Sequence, residues 1–294
     1  MGRPTIRQVH GPAVSLSSAY KLVREGRKRM RKCLCAMMVL GVLASGCGKS
    51  QGSFGKLADF TGKRIASQEG TTFQKFIDLA IPKVEHSYCS SVPEMAAVLK
   101  TGKADAMCVD MPVAKYLVAQ NPDFAIFHDL VAEDQYGFIV AKNSALGQKA
   151  NEIVERFKND GTISAIEDIW FSADERRKIL PKLVHKADYS GQAGTIQFGC
   201  ESILVPMSYI SRGRQVGFDL DLASRIAYEM NMKIEFIPMA FDAIFTGVRS
   251  GEITMGGSSI SITEDRRKTY DYIGPYLDGG VALVLKKDRL AAGR

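Results

Sequence analysis

The sequence predicts an α/β fold of two lobes, with parallel-rich sheets and helices on both faces. Three observations carry that prediction. Short apolar strand-like runs alternate with helix-period segments along most of the chain. The alternation lapses over 172–193, a charged stretch with Pro181, and then restarts. The 294 residues suffice for one large domain or two lobes, with ordinary hydrophobic (46%) and charged (24%) fractions.

Taken in order, Lys63 to Ser67 reads as a strand. Glu69-Gly70-Thr71-Thr72 turns into a helix running through Ala80, with Thr71 or Thr72 near its N-cap. Pro93 opens a helix to Lys100, which Thr101-Gly102-Lys103 ends. Ala104 to Val109 is a buried-type strand ending at Asp110, and Met111-Pro112 starts a helix to about Ala119. Gln135 to Ala141 is an apolar strand, and Gly147 to Lys158 and Thr162 to Trp170 are helices. After the break, Ile196 to Gly199 is a strand, followed by an irregular loop through Pro206. Val216 to Asp221 leads into a helix through Met230. Lys233 to Pro238 is a strand, Phe241 to Ser250 a helix ended by Gly251, and Gly280 to Leu285 an apolar strand.

The stretch with most chemistry is 256–266, a glycine and hydroxyl run followed by Thr263-Glu264-Asp265-Arg266. Thr263 is a plausible N-cap with two acids in the first turn. Free N–H groups at a helix start favour an anion. Ser259 and Ser261 can donate hydroxyl hydrogen bonds, and Arg266 can fork onto a carboxylate. A capped surface helix with a solvated Arg266 explains the same residues.

The net charge of +7 says little about the folded part. The chain holds 39 basic and 32 acidic residues; 1–47 takes nine and one of them, leaving 30 and 31. A balance near −1 gives no basic face for nucleic acid. Arg27 to Lys32 followed by the apolar run Cys33 to Val42 reads as a secretory signal, with Met30 the better start. That run is too short to span a bilayer. Cys89, Cys108 and Cys200 form no disulfide or metal spacing, nor do the four histidines. No metal, cofactor or catalytic group is expected.

Leu43-Ala44-Ser45-Gly46-Cys47 resembles a bacterial lipoprotein box, with Cys47 the lipidated residue and Gly48 to Gly55 a tether. The folded part resembles the bacterial extracellular solute-binding proteins of the polar amino-acid class, with the type II periplasmic-binding fold. Val216 to Ala223, Phe241 to Ile244, Ser259 to Arg266 and Tyr272 to Tyr276 resemble that family's first lobe. Thr61 to Ile65, Gly70 to Thr72, Gly102 to Ala106 with Asp110, and Gly161 to Phe171 resemble its second lobe and returning helix. The order departs from the family, because the second-lobe residues come first. A circular permutation explains this; two truncated tandem domains are the rival. The expected organisation is 1–47 extension and signal, 48–57 tether, 58–134 second lobe and 135–171 returning strand and helices. A linker (172–193), first lobe (194–280) and hinge strand with C-terminal end (281–294) follow.

The resemblance implies a cleft that closes on one small amino acid and delivers it to a separate ABC permease. The protein would be a lipid-anchored monomer on the outer face of the cytoplasmic membrane, and not an enzyme. Arg266, Ser259 and Ser261 would hold the α-carboxylate, Thr72 would add a bond from the other lobe, and Asp110 would pair with the α-ammonium. Phe241 would cover the aliphatic part, and Glu201 would meet a cationic side chain. Leu204, Met207 and Thr254 depart from the family's usual residues. A sensing module, a degenerate non-binding relative and a dehydratase-like enzyme are the competing readings.

Overall fold

The computed structural model describes residues 52–172, 174, 177–180 and 189–291. The proposed signal, Cys47 and residues 48–51 of the tether lie outside them, as do residues 173, 175, 176 and 181–188 of the expected linker. In chain order the first half runs β1 (Arg64–Gln68), α1 (Phe73–Ala80), β2 (Glu85–Cys89), α2 (Val92–Lys100), β3 (Ala106–Asp110), α3 (Met111–Gln120) and β4 (Phe124–Ile126). Next come β5 (Ala132–Ala141), α4 (Ala145–Asn159) and α5 (Thr162–Trp170). The second half has β6 (Thr195–Cys200), β7 (Ile203–Leu204), β8 (Ser208–Ser211), β9 (Arg214–Val216), α6 (Phe218–Glu229) and β10 (Lys233–Pro238). It ends with α7 (Phe241–Ser250), β11 (Met255–Gly256), α8 (Glu264–Arg267) and β12 (Tyr270–Lys286).

Nine strands are ordered β10-β6-β11-β5-β12-β3-β1-β2, with β4 beside β12. Three parallel strands lie at each end, β2-β1-β3 and β10-β6-β11. Each trio has the same spatial order: its second strand, then its first, then its third. Strands β5 and β12 join the trios. They pair antiparallel from Tyr270↔Ala141 to Val281↔Ala132, with the register shifting between Ile273 and Leu277. β5 also pairs with β11 through Ile139 and Gly256, and β12 with β3 from Val281 to Leu285. The fold is therefore the expected α/β arrangement of two sheet halves, joined by two crossing strands.

Most helices begin and end where the sequence places them, and for the expected reasons. Ser91 caps α2, accepting from Glu94 N–H, and Pro93 sits in its first turn. Gly251 ends α7 at φ +78°. Two strand expectations need correction. The run 280–285 is the end of one 17-residue strand that starts at Tyr270. Pro275 looks like a break but falls at the register shift, where no ladder hydrogen bond is needed from it. The expected loop after Gly199 instead contains β7 and leads into a small antiparallel sheet, β7-β8-β9. Its strands are too short to show alternation.

The largest core cluster is filled by interlocked aromatics. Phe138 packs edge-on to Phe198 at 5.1 Å and against Tyr276 at 4.6 Å. Trp170 is fully buried and donates its Nε1–H to Asp221 Oδ2 at 3.0 Å. That bond ties α5 to α6, and Arg225 Nε reaches the other Asp221 oxygen at 2.7 Å.

Gly217 opens α6 at φ +140°, and an added Cβ would strike the Met207 carbonyl. Gly217→Ala should therefore lower unfolding free energy by roughly 1–3 kcal/mol or more, read as a lower urea midpoint. An unchanged midpoint would show that the turn relaxes freely. Trp170→Phe should cost about 1–3 kcal/mol, because it leaves a buried carboxylate without one donor. Chemical denaturation reads this change as well.

Candidate ligand-binding site

Open α/β sheets bind ligands outside the carboxyl ends of strands, where the strand order reverses. Both trios reverse between their first and third strands, and the two reversals face each other. From the first half, β1 ends at Gln68 and β3 at Asp110. From the second half, β6 leads to Glu201 and β11 to Ser258 and Ser259. All five residues line one cavity, together with Thr72, Phe241, Leu204 and Ser261. The cavity measures about 20 Å³, far below the roughly 300–1,000 Å³ of ligand pockets, so the halves stand closed on each other.

Six of the seven residues chosen from sequence line this cavity: Thr72, Asp110, Glu201, Phe241, Ser259 and Ser261. Thr72 holds the N-cap position of α1, but its hydroxyl does not cap the helix. It lies instead 3.0 Å from Ser261 Oγ, across the cleft. Asp110 likewise precedes α3 without capping it. Its carboxylate is buried and accepts from Tyr136 Oη at 2.9 Å. Burial raises its pKa well above the usual carboxylate range, against the opposing pull of the Tyr136 bond.

Glu201 is not the solvated loop carboxylate that a sequence allows. It is 4% exposed and accepts from Gln68 Nε2 at 2.7 Å, another bond between the halves. Its Oε2 has no protein partner. Burial pushes its pKa up to about 7, although the Gln68 bond opposes this. Ser259 is buried in a left-handed conformation, φ +48°, which a non-glycine residue adopts at a cost. Asp219 Oδ2 holds it there by accepting the Ser259 N–H at 3.0 Å, while Tyr276 Oη donates to Asp219 Oδ1 at 2.9 Å. Ser259 Oγ is left without a protein partner in the cleft.

Arg266 departs from expectation. Thr263 caps α8 as foreseen, accepting from Arg266 N–H at 3.2 Å. The guanidinium, however, is not among the groups lining the cavity. It stacks on Phe245, 4.6 Å from the ring centre, and donates to Ser261 O and Gly70 O at 3.1 Å each. The second bond again crosses between halves. Burial pulls its pKa down, and the nearby Tyr272 and Asp134 pull it back.

Sequence reasoning passed over Gln68, Asp134 and Asp219 as site residues. Gln68 carried a signal, since it ends a strand just before Gly70-Thr71-Thr72. Asp134 did not, because it joins the site only through the crossing of β5. Ser261 Oγ donates to its Oδ2 at 2.6 Å. Among the described residues, no group of three His, Cys, Asp or Glu side chains could hold a metal. The lining is acidic and hydroxyl-rich, which suits a ligand with a cationic end.

Comparison with known proteins places the second half. Residues 196–291 match the family model of the bacterial extracellular solute-binding proteins, family 3. That stretch contains Glu201, Phe241, Ser259, Ser261 and Arg266. ABC transporter arginine-binding protein 1 of Escherichia coli (strain K12) is 34% identical over 120 residues, 39% of this chain and 49% of that protein. A probable histidine-binding protein of Neisseria gonorrhoeae is 35% identical over 79 residues, 27% of this chain and 30% of that protein. A solved ancestral arginine-binding protein bound to arginine is 38% identical over 28% of this chain and 35% of its own, with a TM-score of 0.25. The chain spans about half or less of the length of these curated relatives. No helix among the described residues is long and apolar enough to cross a membrane.

The buried carboxylates in and behind this cleft make stability depend on pH. Glu201 and Asp219 each have a folded pKa near 7, above their ordinary 4.5 and 3.8. The folded state then holds protons that the unfolded state releases. The contribution is complete below about pH 4 and is lost as pH rises through 7. The unfolding free energy, read by urea denaturation, should fall between pH 5 and pH 8 by roughly 2–3 kcal/mol for each group. Glu201→Gln should flatten that fall; a slope identical to wild type would contradict the assignment.

Proposed function

We propose that the protein is an extracytoplasmic receptor for a basic amino acid, serving an ABC importer through a separate permease. The observation that carries this reading is the convergence of Thr72 and Asp110 from one half with Glu201, Phe241, Ser259 and Ser261 from the other. The names of the relatives support transport and a cationic ligand. Glu201 supports the cation independently, as a buried carboxylate with one oxygen unpartnered. The ligand contacts both halves and so stabilises the closed arrangement, since only differential affinity shifts such an equilibrium. Delivery requires the halves to reopen. The protein binds and releases its ligand unchanged, so it is a carrier and not an enzyme.

In this reading the chain is one circularly permuted domain. The repeated strand order of the two trios and the crossing of β5 and β12 support a single complete cleft within one chain. The organisation is the second lobe at 58–134, the returning strand and helices at 135–171 and the linker at 172–193. The first lobe at 194–280 and the end segment at 281–294 complete it. Cys47 carries the lipid that anchors this monomer to the outer face of the cytoplasmic membrane. Ser259 and Ser261, with Arg266 after a shift of its guanidinium, take the ligand's carboxylate. Asp110 takes the α-ammonium, and Phe241 covers the aliphatic stem.

A thermal-shift screen against the common amino acids tests this function. A ligand at a hundred times its Kd adds about 2.7 kcal/mol. The shift should be selective for L-arginine, L-lysine or L-histidine, and Asp110→Asn should abolish it. No shift with any amino acid would refute the reading.

A further inference from the structure

Asp110 lines the cleft at the end of β3 and is poorly supplied with donors. It is 5% exposed and makes no cap to α3, and among the described residues its carboxylate accepts one hydrogen bond, from Tyr136 Oη at 2.9 Å. The charges acting on it are those of Asp134 on β5, Asp219 on α6 and Glu201 after β6, all of them acids. On its own strand, burial keeps the Cys108 thiol neutral. Burial and the neighbouring acids favour a protonated Asp110, and the Tyr136 bond opposes them.

Tyr136 is built for that bond. It is fully buried and stands behind the cleft, outside its lining. A hydroxyl carries one proton. The other acceptor near it, Gly280 O, is 3.5 Å away, so the proton goes to Asp110 Oδ1. The ring lies against Gly279 of β12, where an added Cβ would come within 2.6 Å of Tyr136 Cε2. The backbone of Tyr136 pairs with Leu277 on one side and bridges to Ser261 on the other. One residue of β5 therefore holds Asp110 of the first half by its side chain and Ser261 of the second by its main chain.

We infer that Tyr136 is the positioning residue of the ammonium subsite: it fixes the Asp110 carboxylate through Oδ1 and leaves Oδ2 for the ligand's α-ammonium. It acts through Asp110 and touches no ligand. The inference rests on the amino-acid reading above and deepens it, because it assigns the α-amino group, and not the cationic side chain, to this pair.

Calorimetric titration of the purified protein tests this. L-arginine, L-lysine and L-histidine are each compared with the counterpart that lacks the α-amino group: δ-guanidinovalerate, ε-aminocaproate and imidazolepropionate. The weaker compound of each pair is read by its displacement of the tighter one. Wild type should favour the amino acid, and Tyr136→Phe should shrink that preference by about tenfold or more. Gly279→Ala, which pushes the Tyr136 ring aside without removing it, should shrink it too and serves as the second variant should the first unfold. A merely structural role would lower both affinities by the same factor. A preference unchanged in these variants, with the amino acid still bound, overturns the inference alone. Equal affinities in wild type would remove the ammonium subsite and the inference with it. Binding of no basic amino acid to wild type overturns the functional reading as well.

Discussion

The antiparallel pairing of β5 with β12 is the interaction on which the rest of this molecule depends. Each strand continues past the other's trio, so the two sheet halves share one hydrogen-bonded spine. The register shift between Ile273 and Leu277 sits at the crossing. There Gly274 has φ +125°, and its N–H is held by Asn151 Oδ1 at 2.9 Å. The β5–β12 ladder is interrupted at that point. The spine also places Asp134 and Tyr136 behind the cleft, where they hold the lining residues Ser261 and Asp110.

The site follows from topology. Each trio offers one reversal of strand order, and the crossing strands set the two reversals face to face. The bonds Gln68–Glu201, Thr72–Ser261 and Arg266–Gly70 then bridge the gap between halves. The acids of the cleft are kept largely dry, and burial is the main cause of every raised carboxylate pKa there. A cationic ligand relieves that burden directly, since it pairs charges that water no longer solvates. Asp219 lies behind the cleft and acts through the backbone. Together with Tyr276 it holds Ser259 in its left-handed turn.

Much of this was legible in the sequence. Helix α5, strand β10 and helix α7 have the boundaries expected, because glycines and apolar periodicity mark their ends. Six cleft residues were found because strand ends and helix starts are readable locally. The rest depends on partners far away in the chain. Strand β2 is mostly polar and half-exposed, so no alternation announced it. Strand β11 has only two residues. Arg266 was placed correctly on its capped turn, yet its direction is set by Phe245 and by the Gly70 carbonyl, 196 residues earlier. Asp134 has no local signature, and its role exists only once β5 crosses β12.

The central claim is that both halves of one chain form one cleft. Mixing two variants tests it most directly: Asp110→Asn, disabled in the first half, and Glu201→Gln, disabled in the second. L-arginine binding is followed by calorimetry on each variant and on their mixture. If every cleft forms within a single chain, the mixture binds no better than the variants alone. Recovery toward a quarter of wild-type capacity in an equal mixture would mean that intact clefts form between chains, and would contradict the account.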